Sequence, residues 1–379
     1  MKLLMKIQKE IKTNHGVALK KTMLTFSVLF MIGLAIQAQN VYVVDNNQGS
    51  GAQYTNAQTA IDSAAVGDII YLQPSPNNYG NINMTKALNI YGIGHIPELN
   101  SGQVATVGSI FFRSGDASGS KISGLNISNI YLDNTAFNNH NVVIRNNRIG
   151  YIAGNSTTSR ANNVIISGNY IRNPNFNAID PYNSQNWIIS NNLIEQPNTA
   201  ATWSTLSRFN SSVLFNNNIV LTRQNGNAGN SIQLFNNCSG TQITNNIFLF
   251  TGTDVENMNL GSNSALNFQN NLTYSYNSTL DNLSGTNNID DTDPQFVNFN
   301  QNASLNTTSN DYHIQTGSPA EDAGTDGNDL GVFNGTFPFS LRGYPTELPY
   351  LTDFVIYNNI LSAGTQLNIN IKASANINN

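Results

Sequence analysis

VVIRNNRI at 142–149, VIISGNYI at 164–171 and WIISNNLI at 187–194 are near-copies of one another, and looser versions continue to residue 273. In each, an apolar residue is followed three positions later by Asn and five positions later by another apolar or β-branched residue. The series reads Ile144/Asn147/Ile149, Ile166/Asn169/Ile171, Ile189/Asn192/Ile194, Leu214/Asn217/Ile219, Ile243/Asn246/Phe248 and Phe268/Asn271/Thr273. The Asn-to-Asn steps of 22, 23, 25, 29 and 25 residues are too long for a hairpin and too irregular for a helical array. They suit one coil of a parallel β-solenoid, with length differences absorbed in loops.

The repeated Asn has a physical role in such a coil. Each rung must bend between two short strands; Asn tolerates the left-handed backbone, and its amide can bond the Asn of the rung above and below. A second file is expected beside it at Asn146, Asn191, Asn216, Asn245 and Asn270, interrupted by Gly168. Apolar residues on either side point inward and stack on their counterparts in the next rung.

Composition agrees with an elongated, polar-surfaced β protein: 379 residues, 39% hydrophobic but only 10% charged. Lys20 and Lys21 precede the apolar run Met23–Ile36, which ends at Gln37-Ala38-Gln39. That is the pattern of a secretory signal in residues 1–38, and the run is short for a membrane span. Six of the 17 Lys and Arg lie there against one of the 22 acids, Glu10, so a chain cut near Ala38 keeps 11 basic and 21 acidic residues, net about −10. An anion of that size disfavours nucleic acid and anionic membrane as partners. The expected setting is therefore extracellular or cell-surface, with no membrane insertion after signal removal and a monomeric chain. Cys238 stands alone and reads as a buried small residue.

Residues 41–72 read as a strand, a loop, a short helix capped by Asn56 with Ala60, Ile61, Ala64 and Ala65 on its apolar face, and a second strand after Gly67. The order VYVVDNNQGSG, AQTAIDSAAVGDIIYLQPSPNNYG, KALNIYGIG resembles the N-terminal cap and opening rungs of the pectate-lyase-like right-handed parallel β-helix superfamily. The Asn-marked coils are similar to that superfamily's middle. The resemblance spans roughly residues 41–290 and implies a solenoid of three faces. The third face carries Ile130-Tyr131-Leu132-Asp133, Ala178-Ile179-Asp180-Pro181, Ser231-Ile232-Gln233-Leu234 and Met258-Asn259-Leu260, and in the resembling enzymes oligosaccharide lies there.

On that face Asp133 and Asp180 take outward positions, and Arg160 and Arg208 stand just before the Asn strand of nearby coils. Carboxylates two rungs apart are separated by about 10 Å, too far for a retaining glycosidase pair and at the edge for an inverting one. A polysaccharide lyase acting on a uronate-containing glycan is geometrically easier. The resemblance then implies Asp133 and Asp180 as cation or sugar ligands and Arg160 or Arg208 as the base, which would have to be crowded or buried to act as one. The dense acidic cluster usual in such enzymes is absent from the sequence.

Arg145, Arg148 and Arg172 fall in adjacent coils near Tyr151, Tyr170, Tyr182 and Trp187. Tyr182 and Trp187 read as sugar platforms in one view and as ordinary strand residues in the other. In EDAGTDGNDLG at 321–331, Asp322, Asp326 and Asp329 sit among glycines, a mixture that suits calcium or, equally, solvated turns closing the solenoid. DPQFVN at 293–298 and DYHIQTGSPAEDAGTDGNDLGVF at 311–333 resemble the closing module of secreted bacterial β-helix proteins. The expected organisation is a β-helix over 39–335, a linker over 336–349, and a two-stranded extension over 350–379 packed on the solenoid. Two functions follow: a glycan-binding protein of lyase type, or a non-catalytic extracellular surface, matrix or adhesion protein.

Overall fold

The computed structural model describes residues 39–379 except 101, 114, 133–135, 155–159, 175–176, 201–203, 226–233, 254–262, 358–363 and 376–379. The signal segment expected over 1–38 lies outside the described residues. The chain is an all-β, right-handed parallel β-helix. One parallel sheet of 11 strands runs from Val41–Val44 through Val143–Arg145, Ile165–Ser167 and Ile188–Ser190 to Gly285–Thr286. A second sheet of 12 strands carries the other two faces. In early coils one strand, such as Arg148–Ala153, spans both faces. In the next coil it splits into Tyr170–Arg172 and Ile179–Asp180.

Between the sheets runs a narrow core. Ile144, Ile166, Ile189, Phe215, Ile243 and Phe268 stack from the first sheet, and Ile149, Ile171, Ile194, Val220 and Phe248 from the second; all are buried. Phe209, Phe215, Phe235, Phe248 and Phe268 fill the later coils with centroids 5.9–6.5 Å apart. The first end is closed by the helix Ala57–Ser63, whose N-terminal N–H of Thr59 is accepted by Asn56 Oδ1 at 3.0 Å. Ala57, Ala60 and Ile61 face the core, while Ala65, past the helix end, is exposed.

The bends divide the labour between two neighbouring residues. Asn147, Asn169, Asn192, Asn218, Asn246 and Asn271, all buried, and half-buried Asn288 form the ladder: each Oδ1 accepts the backbone N–H and the Nδ2–H of the preceding rung's Asn, or in the first case the N–H of Leu125. Each Nδ2 also donates to inward carbonyls, as Asn192 does to Ile166 and Ser190, both at 2.9 Å. The left-handed backbone belongs instead to the residue before: Asn146, Gly168, Asn191, Asn217, Asn245 and Asn270, with φ between 52° and 66°. In the coil of Asn216-Asn217-Asn218 the register is therefore one residue later than the spacing predicts. Phe215, Asn218 and Val220 occupy the places expected of Leu214, Asn217 and Ile219.

The left-handed file does a further job. Nδ2 of Asn270 donates to Ala323 O (2.8 Å), of Asn245 to Thr325 Oγ1 (3.0 Å), of Asn217 to Asn334 O (3.1 Å), of Asn191 to Val332 O (2.9 Å) and of Asn146 to Tyr344 O (3.1 Å). Residues 323–344 thus return along the bends, against the direction in which the solenoid grows. Residues 336–344 of the stretch 336–349, expected as a linker, are part of this strap: Phe337 lies 3.8 Å under the Arg145 guanidinium and Phe339 is buried. With the antiparallel pair Phe296–Asn298 and Asp311–Ile314, the strap covers outward Tyr170, Leu193, Ile219, Ile247 and Leu272, making a second core outside the coil. The closing pair expected over 350–379 forms a hairpin of Pro349–Ile356 with Ile369–Ala375. Among the described residues it touches no strand of the solenoid, and Ile356, Tyr357, Ile369 and Ile371 are exposed.

His95 is fully buried where the strap ends: its ring touches the position of Gly343, and Nδ1 lies 3.3 Å from Asn306 Nδ2. Burial, helped by nearby Arg148, depresses its pKa to about 3. The unfolded chain binds a proton below about pH 6.5 that the fold refuses, so this stability is present above pH 6.5 and declines as pH falls toward 3, by about 1.4 kcal/mol per unit. His95→Gln should flatten that decline between pH 6.5 and 5 in denaturant unfolding; equal slopes in both proteins would refute it.

Replacing Asn192 by Leu strips acceptors from Asn169 and a donor from Ile166 O inside the core. A loss of about 3–5 kcal/mol is expected in chemical denaturation. The exposed bend residue Asn163, at φ 58°, should tolerate Gly at a cost under about 1 kcal/mol.

Candidate functional site

On the third face, parallel pairing sets Phe111 beside Tyr131, Tyr131 beside Ala153 and Ala153 beside Asp180, an outward file continued by Ser207 and Asn236. The rings of Phe111 and Tyr131 stack 5.2 Å apart at 6°, and Tyr151, two positions off the file, meets Tyr131 edge-on at 6.0 Å. The Arg113 guanidinium lies 4.7 Å and 4.9 Å from the first two ring centres. All three rings are half-buried and Arg113 is exposed. The result is a partly open aromatic strip across three coils, built from β-favouring residues that alternate with inward Ile110, Ile130 and Ile152.

Beyond the strip lies Asp180. Its neighbour Ile179 faces the core, so its carboxylate points outward, yet other side chains bury it completely. Arg208 clamps it with two prongs: Nε donates to Oδ1 at 2.8 Å and Nη2 to Oδ2. The Tyr182 N–H donates to Oδ1 at 3.1 Å, and the Arg208 guanidinium sits 4.4 Å over the Tyr182 ring. Arg208 keeps 32% of its side chain exposed.

The backbone is strained here. The bend after the strand needs a left-handed residue, which is Asn237 in one coil and Arg208 in the coil before it, at φ 57°. In the Asp180 coil Pro181 cannot take that conformation, and Tyr182 does so at φ 53°. Bulky residues pay a conformational cost there of about 1 kcal/mol or more, a feature that concentrates at ligand clamps.

The arrangement corrects parts of the sequence reading. Asp180 has the outward position expected of it, but both its oxygens are engaged. Its hydrogen bonds push the Arg208 guanidinium's pKa up, the opposite of what a proton-abstracting base requires. Arg208 is thus paired as a cation and keeps an open edge. Trp187 is fully buried in the solenoid core, its indole N–H donating to Ala161 O at 2.6 Å; it offers no face to a sugar. Tyr182 is half-buried under Arg208. Arg160, half-buried, lies in the approach to the first-sheet strand Ile165–Ser167, and its N–H donates to Asn138 Oδ1 at 2.8 Å. Asp133 lies outside the described residues, as do 231–233 and 258–260 of the third face.

Asp322, Asp326 and Asp329 serve their own turns: Asp329 accepts the N–H of Asp322 at 3.0 Å, and Asp326 that of Asn328 at 3.3 Å. Among the described residues no group of three or more His, Cys, Asp or Glu is placed where it could hold a metal ion. The Arg145, Arg148 and Arg172 stripe belongs to the strap side, over Phe337, over Tyr170 and toward Glu195.

Two features escaped the sequence reading. The aromatic strip Phe111–Tyr131–Tyr151 could have been found from aromatics recurring at outward positions of consecutive third-face strands. Glu195 could have been found as a carboxylate inside the buried run Leu193–Gln196. It accepts from Tyr170 Oη (2.6 Å), Arg223 Nε (3.1 Å) and the N–H of Leu305 (3.2 Å), tying the closing module to the coils. Cys238 is buried as expected, its thiol pushed up to about 11 by burial.

Asp180→Ala should cost about 2–4 kcal/mol in denaturant unfolding, because it leaves Arg208 unpaired over a strained bend. Adding Arg208→Gly removes both the stranded charge and the strain, and should recover part of that loss. A double variant whose loss equals or exceeds the sum of the single ones would contradict the clamp.

No protein-family model matches this sequence, and no curated protein matches it. Among solved structures the chain is similar to a GH136 lacto-N-biosidase from Eubacterium ramulus, at 11% identity and a TM-score of 0.40, over 62% of this chain and 56% of that one. The likeness therefore spans little more than half of that protein, and it transfers no residue role. The chain's own strands establish a right-handed parallel β-helix, the fold of the superfamily that its cap and Asn-marked coils resemble.

Proposed function

We propose that this protein binds carbohydrate along the third face without cleaving it, working outside the cell. The observation that carries this reading is the half-open strip of Phe111, Tyr131 and Tyr151 leading to Arg208, whose charge is balanced and held in place by buried Asp180. Aromatic faces stack on the C–H faces of sugar rings, and a guanidinium edge donates to hydroxyl or carboxylate oxygens. Rungs about 4.8 Å apart present these groups as a row along the solenoid, which suits a chain rather than a single sugar. Elimination would need a base, whereas Arg208 is held as a cation by Asp180 and the Arg113 guanidinium lies over the rings of Phe111 and Tyr131.

The test is affinity electrophoresis on pectate, alginate, a glycosaminoglycan and neutral β-glycans, with and without calcium, alongside absorbance of unsaturated uronate. Retention on at least one glycan without product is expected, weakened about tenfold in Tyr131→Ala, a change near 1.4 kcal/mol. Product formation would instead establish the lyase reading. No retention, or no glycan whose retention Tyr131→Ala weakens, would sink the proposal.

A further inference from the structure

The outer face of the first sheet carries a second row, unrelated to the third-face strip. Asn141, Asn163 and Asn186 stand at the bends entering three successive strands, each left-handed at φ 58°. Their side chains bond in line: Asn163 Nδ2 to Asn141 Oδ1 at 3.1 Å, and Asn186 Nδ2 to Asn163 Oδ1 at 3.0 Å. Beside them Val143, Ile165 and Ile188 lie in register and face outward, with Ile188 39% exposed. Between the amide row and the apolar row runs an open groove of about 440 Å³. Ser212 lines its far end, its Oγ accepting the N–H of Asn186 at 2.9 Å. In the same register the apolar row is bracketed by Lys121 before Val143 and, after Leu214, by Gln242, so the groove is finite.

Two bland explanations account for the parts separately: Asn is at ease in a left-handed bend, and β-branched residues favour strands. Neither requires outward apolar residues on three consecutive rungs to lie beside an unbroken amide row on a surface the strap leaves uncovered.

We propose that this groove binds a neutral, extended β-linked glycan lying parallel to the solenoid axis. Three properties select that occupant. The lining holds no ionisable side chain, so in a chain of net negative charge it favours an uncharged ligand over a uronate or a basic peptide. One amide and one apolar side chain recur every rung, about 4.8 Å, near the advance of one pyranose in an extended glycan. An extended polypeptide advances about 3.3 Å per residue, or nearly 7 Å between residues on one side, and drifts out of step. In an amphipathic sugar, ring C–H groups meet Val143, Ile165 and Ile188 while hydroxyls bond the amide edges, each of which keeps an N–H not used within the row.

The test is calorimetric titration of the folded chain with cellohexaose, mannohexaose and xylohexaose, with hexagalacturonate as the charged control. Saturable binding of at least one neutral hexasaccharide is expected, tighter than hexagalacturonate at this groove. Ile165→Lys should weaken it at least tenfold, and Asn163→Gly, which keeps the bend, several-fold. Cooperative unfolding with a midpoint near that of the parent chain confirms that each variant is folded. Asn163→Gly should leave the Tyr131-dependent retention of the third face unchanged, which separates this site from the third-face one. Absence of binding by all three neutral probes, or binding that survives Ile165→Lys, overturns the proposal.

Discussion

The buried carboxamide ladder is the constraint that everything else obeys. A solenoid must turn its backbone inside its own core at every rung, and each turn strands an N–H and carbonyls away from water. One Asn per coil answers all of them, accepting two donors from the rung before and donating to inward carbonyls. Because each side chain completes the next, the ladder also sets the stacking register, so that Ile falls on Ile and every outward position forms a row. The functional surfaces are consequences of that registry: a side chain repeated in sequence becomes a line in space.

The strap decides which rows stay open. By threading 323–344 along the left-handed Asn file and burying an apolar face under Phe296, Leu330 and Val332, the C-terminal module removes one side of the molecule from contact with ligands. Glu195, buried and charged, makes that attachment specific through Tyr170, Arg223 and the module's backbone. An ionic hub costs desolvation and is worthwhile only where its partners are fully supplied, as they are here. The third face and the groove of the first sheet remain as uncovered rows.

The Asp180–Arg208 clamp illustrates how the same chemistry can read as catalysis in one dimension and as a closed ion pair in three. A carboxylate and a guanidinium on neighbouring coils invite the roles of ligand and base. Brought into a two-pronged pair over a left-handed bend, they neutralise one another, stiffen Tyr182, and leave one cationic edge facing outward.

Much of the architecture was legible in sequence. The near-copies ending in Asn named the solenoid, the capping helix followed from Asn56 and its apolar face, and Cys238 was placed inside. These follow from local rules: periodicity, bend chemistry and burial of small apolar residues. What required the tertiary structure was every question of partnership. Three consecutive Asn at 216–218 are equivalent on paper, and only the choice of Phe215 over Leu214 as the inward residue selects Asn218 for the ladder. Trp187 reads as a platform until its coil is closed around it; 336–349 reads as a linker until its Tyr344 is laid against a bend 198 residues earlier in the chain. Local preference determines the shape of a rung, but which rows are covered, which charges meet and which faces stay open depends on contacts between segments whose separation in sequence carries no signal.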